Sequence, residues 1–392
     1  MGKKLFVPNG VGVALFILVS GVYAQQEQWL QYHSSREDSQ VLGLVGFHTI
    51  ELSTQQPSDV KLPKFKGKNQ LFAKWSTPMV ESGYLWIVLD RTHEQGPCDL
   101  LYIDSNADGN LDDETTSAAY RTDQSNAYFG PVRVIFQVED GPVTYHLNFR
   151  FSQYGTNDSR FFVSSGGWYE GDITVGGEKK HCVLFDNNVN GAFNDKSGKA
   201  SDCDRIRIGE QGSKDILFTG KFIDVDKTLY ELDIARDGAY IKLTKAENVK
   251  YGTVQLPESI TQFSAYGENG LFILKPEQGI ASLPAGKYSV YGWAIERKDE
   301  TETNWKLYSF GGTKNTFEIT ENKQAVLSIG EPVVATLDAS EREGTYSFNH
   351  GMKGRAGEQI ELTRNGAQPQ APKVRITNAN GTYDRTYSFQ YG

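Results

Sequence analysis

Apolar side chains recur at every second position along most of this chain, and no long stretch carries the spacing of an amphipathic helix. Successive residues of a strand point to opposite faces, so this period specifies strands with one buried side. Leu42-Gly-Leu-Val-Gly-Phe-His-Thr-Ile-Glu-Leu52 is an opening strand, and Tyr84-Leu-Trp86-Ile-Val-Leu-Asp90 and Val132-Arg-Val-Ile-Phe-Gln-Val138 alternate more strongly. Asp140-Gly141-Pro142 then turns the chain into Val143-Thr-Tyr145-His-Leu147-Asn-Phe149, a hairpin. Forty glycines, 20 tyrosines and 21 phenylalanines beside three methionines agree with an all-β chain rich in turns.

Two acidic loops interrupt the alternation. In Asp104-Ser-Asn106-Ala-Asp108-Gly109-Asn110-Leu111-Asp112-Asp113-Glu114, oxygen-bearing side chains alternate and then a glycine turns the chain. A hard divalent cation takes six to eight oxygens, and side chains one, three and five of a tight loop point at a common centre. Five acids and no base lie between Asp104 and Glu114. Two carboxylates ~5 Å apart at an effective dielectric of ~20 repel by about 3 kcal/mol, so convergence of this loop calls for a cation. The alternative is a solvated Asx-turn loop whose side chains stay apart. The second loop runs Asp186-Asn-Asn188-Val-Asn190-Gly191-Ala192-Phe193-Asn194-Asp195. It holds only Asp186 and Asp195 against Lys196, so on charge count it binds more weakly; Asp202 and Asp204 could supply further oxygens.

Sliding the chain by 82 residues lays Trp86 on Trp168, Asp90 on Asp172 and Thr92 on Thr174; Asp104, Asn106, Gly109 and Asp113 fall on Asp186, Asn188, Gly191 and Asp195. The expectation is an internally duplicated β domain over 25–255, with units at about 80–150 and 162–235. Two copies make a pseudo-symmetric pair rather than a solenoid. Beyond Leu256-Pro257 short strands follow at regular spacing to Arg385-Thr-Tyr-Ser-Phe-Gln390, which fits an immunoglobulin-like sandwich over 256–392. Leu283-Pro-Ala-Gly286-Lys-Tyr-Ser-Val resembles the turn and strand of prealbumin-like and carboxypeptidase-regulatory-like modules, over some ten residues.

The first loop resembles the calcium loops of dockerins and EF-hands. Asp104, Asn106 and Asp108 match positions one, three and five, Gly109 the turn, Asn110 the backbone-carbonyl position and Leu111 the hydrophobic plug. The likeness covers about eleven residues. The twelfth position, a bidentate glutamate in that pattern, is Thr115, and Leu100-Leu-Tyr-Ile103 ahead of the loop is a strand rather than a helix. The resemblance therefore implies an EF-hand-like loop leaving a strand, with Asp112 or Asp113 closing the shell. In the second loop the corresponding ligands are Asp186, Asn188, Asn190, the Ala192 carbonyl, Asn194 and Asp195. Calcium suits such a flexible loop better than magnesium, which demands a small octahedral cage and keeps its waters.

Lys3 and Lys4 precede the apolar run Val11–Val19, which is too short to span a bilayer, and Val22-Tyr-Ala24 offers small residues for cleavage. A signal peptide over 1–24, cut after Ala24, implies a secreted or periplasmic protein with no transmembrane segment left. Loss of Lys3 and Lys4 takes the formal charge from −9 to −11, which disfavours nucleic acid and suits a chain that recruits cations. Cys182 and Cys203 bracket the second loop, and an exported chain can oxidise them to a disulfide, leaving Cys98 over. A zinc site of His181, Cys182 and Cys203 lacks a fourth ligand.

Catalytic signals are sparse. The chain has no Gly-x-Ser-x-Gly elbow, no His-Glu-x-x-His pair and no phosphate-binding Gly-Lys loop, and His33, His48, His93, His146, His181 and His350 lack metal spacing. Asp90 and Asp172 occupy corresponding positions, as the paired carboxylates of aspartic proteases do, but stand in Asp-Arg-Thr and Asp-Ile-Thr rather than Asp-Thr/Ser-Gly. Trp86, Trp168, Tyr169, Tyr291, Trp293 and Trp305 could stack on sugars or build the core. Leu62-Pro-Lys-Phe65, Tyr102-Ile-Asp104, Phe129-Gly-Pro131 and the Tyr391-Gly392 ending resemble exported proteins of planctomycete-type bacteria with paired acidic loops and a β-sandwich tail. That likeness implies no activity. The expectation is a non-enzymatic, calcium-binding β protein with a structural or adhesive role at the envelope, meeting polysaccharide or protein there. The alternatives are a carbohydrate-binding or carbohydrate-processing accessory and, last, a hydrolase using Asp90 and Asp172.

Overall fold

The computed structural model describes residues 27–391 apart from 39, 45, 140, 156–157, 214 and 310–315. The expected processing segment, 1–24, lies outside the described residues. Among those described, strands dominate, two short 3-10 turns are the only helical elements, and no helix is long and apolar enough to cross a membrane. The chain is all-β, built from several antiparallel sheets.

Four sheets make the N-terminal region. One joins Leu71–Ser76, Tyr84–Asp90, Leu100–Ile103 and Ser117–Ala118 in order. A second runs His48–Ile50, Ser159–Ser165, Gly141–Gln153, Asn126–Val138, Arg121–Thr122. A third runs Leu217–Phe218, Arg205–Gly209, Glu178–Phe185, Gly167–Val175, Gln31–Ser34, and a fourth Gln28–Trp29, Tyr240–Lys245, Thr228–Ile234, Phe222–Val225. Alternation explains their packing. In Gly141–Gln153, Tyr145, Leu147, Phe149 and Phe151 are buried while Thr144, His146, Asn148 and Arg150 stand on the other face. All four sheets contribute to one core, through Leu89 and Leu101, Phe136 and Phe149, Ile173 and Leu184, Ile223 and Leu232. Tyr84–Asp90 is covered on both faces: Val88 turns away from that core into a smaller cluster with Phe72, Leu100, Tyr102 and Leu111.

A second core lies C-terminal. Ile280–Pro284, Tyr251–Gln255 and Gln324–Val326 form one sheet, the last pair parallel. The facing sheet runs Gly270–Leu274, Gln262–Gly267, Gly286–Lys298, Asn304–Ser309, Glu361–Arg364, with Thr316–Ile319 also on Gly286–Lys298. Val254 and Leu283 from the first meet Phe263, Val290, Trp293 and Ile295 from the second. Tyr251–Gln255, which lies ahead of the expected division at 255/256, thus pairs within this C-terminal sheet.

Two further ribbons follow in the tail. Among the described residues Val334–Arg342 pairs only with Thr345–Lys353, and Lys373–Thr377 only with Asp384–Ser388, as separate two-stranded ribbons. Most of their residues are exposed, because Val-Ala-Thr-Leu-Asp-Ala-Ser-Glu-Arg offers too little apolar surface on either face to bury.

Candidate metal-loop sites

The first acidic loop leaves the end of Leu100–Ile103, where Asp104 is buried. The Asp104 carboxylate accepts the Asp108 N–H at Oδ1 and the Gly109 N–H at Oδ2, both at 3.1 Å. Asn106 Oδ1 accepts the Asp108 N–H, Asp108 Oδ1 the Asn110 N–H, and Asn110 Oδ1 the Asp112 N–H, a ladder of Asx turns. Ala107 and Gly109 adopt positive φ of 61° and 74°. Leu111 plugs the loop into the smaller core, and its N–H bonds the Lys61 carbonyl at 2.8 Å.

The second loop repeats this geometry at the end of Glu178–Phe185. Asp186 Oδ1 accepts the Asn190 N–H at 3.3 Å and Oδ2 the Gly191 N–H at 2.7 Å. Val189 and Gly191 have positive φ of 56° and 89°, and Phe193 is buried at the plug position with its N–H on the Arg236 carbonyl at 2.9 Å. The surroundings differ. Trp75 Nε1 donates to the Val189 carbonyl at 2.7 Å, and His48 Nε2 is 2.8 Å from the Asn187 carbonyl. The Tyr145 hydroxyl donates to Asp186 Oδ2 at 2.8 Å.

Each loop receives a further carboxylate from beyond its turn. Asp112 pairs with Lys61 at 3.0 Å on the surface and Asp113 is exposed, so neither turns back toward Asp104. Glu114 does: its Oε1 accepts the Ser105 N–H at 2.6 Å and its Oε2 the Ser105 hydroxyl at 2.7 Å. In the second loop that place falls to Asp204, which accepts the Asn187 N–H at 3.1 Å and the Asp195 N–H at 2.8 Å. Asp202, its companion in the sequence, is exposed beside Lys199. Asn188 and Asn190 both donate their amides to Asp195 Oδ2, at 3.0 and 2.8 Å. Asn188 Oδ1 is left buried without a hydrogen-bond partner. Ala192 is buried, its N–H on Asn190 Oδ1, and Asn194 is half-buried.

Charge sets the chemistry. Among the described residues, Asp104, Glu114, Asp186 and Asp204 form no ion pair, and Lys196 turns away to the Leu232 carbonyl. Burial raises the Asp104 and Glu114 carboxyls above their ordinary range, and each adds repulsion from a neighbouring carboxylate. Burial raises Asp186 to about 7 against the pull of its donors. Asp204 is raised well above the carboxylate range by burial first and then by the charges of Asp186 and Asp195. Among the described residues no three His, Cys, Asp or Glu side chains already form a metal cage. The oxygens offered are instead a mixture of carboxylates, asparagine amides and backbone carbonyls, the donor set of a hard cation.

The other expected features resolve differently. Cys98, Cys182 and Cys203 are all free and buried, so the Cys182–Cys203 disulfide is not formed. Cys182 packs in the main core, whereas Cys203 lies in another cluster with Phe218 and Leu271, its thiol donating to the Ser197 carbonyl at 3.0 Å. Asp90 and Asp172 sit on different sheets. Asp90 is buried and accepts the N–H groups of Lys66 and Gly67 and the Gln70 amide, at 2.7 to 3.0 Å. Asp172 is half-exposed, 2.7 Å from Lys179 and 3.3 Å from His181. Of the aromatics weighed for sugar stacking, Trp168, Tyr169 and Trp293 are buried; Trp86, Tyr291 and Trp305 are partly so. No family model, curated protein or solved structure matches the chain.

Proposed function

We propose that both acidic loops bind calcium and that the ions lock a duplicated, non-enzymatic β domain of an exported protein. The observation that carries this reading is the second loop. Asp186 and Asp204 are fully buried without a countercharge, and Asn188 Oδ1, at the third loop position, is a buried acceptor with no donor. Uncompensated buried charge costs several kcal/mol, and a cation meeting these oxygens removes that cost. Asp186, Asn188, Asn190, the Ala192 carbonyl, Asp195 and Asp204 would hold one ion. Asp104, Asn106, Asp108, the Asn110 carbonyl and Glu114 would hold the other. The shared hydrogen bonds, positive-φ residues and plugs of the two loops support the duplication as well as the ligand.

A structural role fits better than a switch. Each loop is tied to a neighbouring segment, the first through Lys61 and the second through Trp75 and His48, so an ion would fasten sheets together. With Asp90 and Asp172 engaged on separate sheets, a shared-proton hydrolase finds no support. Thermal melting in calcium and in EDTA tests the proposal. At a calcium concentration 100 times the Kd the gain is about 2.7 kcal/mol per site, a rise of several degrees. An unchanged midpoint refutes it.

A further inference from the structure

We infer that a cleft on the outer face of the sheet containing Gly141–Gln153 binds an anionic sugar through Arg36 and Arg150. This goes beyond the calcium reading and does not depend on it. The cleft has a volume of about 390 Å³, and its lining includes Arg36, Arg150, Phe47, Tyr128 and Phe162 but, among the described residues, no Asp or Glu. In a chain of formal charge −9, an acid-free cleft with two arginines is a local reversal of sign.

Register builds it. Arg121, Tyr128, Arg150 and Phe162 face one another in turn across four adjacent strands. The row alternates cation and ring: the Arg121 guanidinium lies 3.8 Å over Tyr128 and that of Arg150 4.4 Å over Phe162. A β-bulge between Leu147 and Phe149 lies just ahead of Arg150. Cross-strand stacking alone would account for the row. It does not account for Arg150 Nε, which is buried and has no acceptor, nor for Phe47, which is 61% exposed and 5.2 Å from the same guanidinium. Among the described residues neither Arg36 nor Arg150 forms an ion pair.

A carboxylate or sulfate oxygen would satisfy the guanidinium donors, and the exposed ring beside them offers an apolar face to a sugar ring. The small cleft takes one charged residue and its neighbour, whereas the chain's overall charge opposes a densely charged nucleic acid.

Calorimetric titration of the full chain at fixed calcium tests this. The probes are a tetrasaccharide with alternating glucuronate, its carboxyl-reduced counterpart, a sulfated neutral tetrasaccharide and a glutamate octapeptide. The glucuronate or the sulfated sugar is expected to bind at least tenfold more tightly than the reduced one, and whichever binds identifies the anion. Arg150→Gln and Arg36→Gln should each cost about tenfold, and Phe47→Ala about threefold, with melting midpoints unchanged for the exposed Arg36 and Phe47 variants. Equal affinity for charged and reduced sugars overturns the inference, as does full affinity in R36Q and F47A. Preferential binding of the peptide overturns it in favour of an acidic protein partner.

Discussion

In the first loop Asp104 and the Leu111 plug are buried while Asn106, Ala107 and Asp108 stand in solvent, whereas in the second Asp186, Val189, Ala192 and Phe193 are all buried. The local backbone is the same in both: equivalent N–H groups on the leading aspartate, equivalent positive-φ residues, equivalent plugs. Counting charges within each loop ranks the first as the stronger. Tertiary structure levels that count, because Asp204 arrives from beyond the second loop as a third carboxylate beside Asp186 and Asp195. It also adds burial that the first loop lacks. A site's charge is therefore set by what the fold delivers to it, and its energetic weight by how far water is excluded.

The largest expected contrast comes from deleting the leading aspartates. Asp186→Ala leaves the Gly191 N–H buried without an acceptor, at about 1–3 kcal/mol, and leaves the Tyr145 hydroxyl only its longer bond to Ser165 Oγ at 3.2 Å, partly offset by relief of repulsion on Asp204. A loss of about 3 kcal/mol in urea unfolding is expected. Asp104→Ala strands the Gly109 N–H where water reaches it and leaves the Asp108 N–H its bond to Asn106 Oδ1, and about 1 kcal/mol is expected. Equal losses would show that burial does not distinguish the loops.

Acidity sharpens the same contrast. With calcium chelated, the folded carboxyls of Asp186, raised to about 7, and Asp204 hold protons that the unfolded chain releases near pH 4. The stability they contribute is fully present below that unfolded value and is lost as pH rises through the folded one. Between pH 4 and 7 the metal-free protein should lose on the order of 2 kcal/mol. Asp186→Asn should flatten most of this slope and Asp104→Asn less of it, read from melting midpoints across that range. A metal-free midpoint that rises with pH would contradict the assignment.

How much of this was legible depends on whether the signal was local. The loops, their glycine turns and the Leu111 plug follow from spacing alone, because a tight turn positions its own side chains. Strand locations were legible wherever one face is buried, as in Gly141–Gln153. Glu114 was passed over for Asp112 and Asp113, because spacing does not show that it folds back on Ser105, and Asp204 could not be told from Asp202, because only the folded chain sets one on the Asn187 and Asp195 N–H groups and leaves the other exposed. Cysteine spacing around the second loop could not reveal that Cys182 and Cys203 belong to different clusters. Alternation in the tail marks its strands but not their pairing, here as two separate ribbons.

The turning glycines give the next step down in effect. Both adopt left-handed φ, so an alanine at either strains the backbone by about 1 kcal/mol. At Gly109 a Cβ would meet nothing within 4 Å. At Gly191 it would lie 3.1 Å from the Phe136 ring and 3.3 Å from Thr77 Oγ1, inside the main core. Gly191→Ala should therefore cost about 2 kcal/mol against about 1 for Gly109→Ala in denaturant unfolding. Parity would mean that the second loop yields to overpacking as an exposed one does.

Smallest of all is the pair that tethers the first loop at the surface. Lys61 Nζ lies 3.0 Å from Asp112, but both side chains are about half exposed, 64% and 48%, so solvent screens the attraction. Lys61→Ala should change stability by less than about 0.5 kcal/mol in EDTA, because the backbone bonds between residue 61 and the loop survive truncation. In calcium the same substitution bears on the proposed ligands. If Asp112 is only a surface partner and Glu114 completes the shell, freeing Asp112 leaves calcium affinity unchanged while Glu114→Gln lowers it. Should Lys61→Ala instead tighten calcium binding several-fold, Asp112 is the closing ligand and the lysine its competitor.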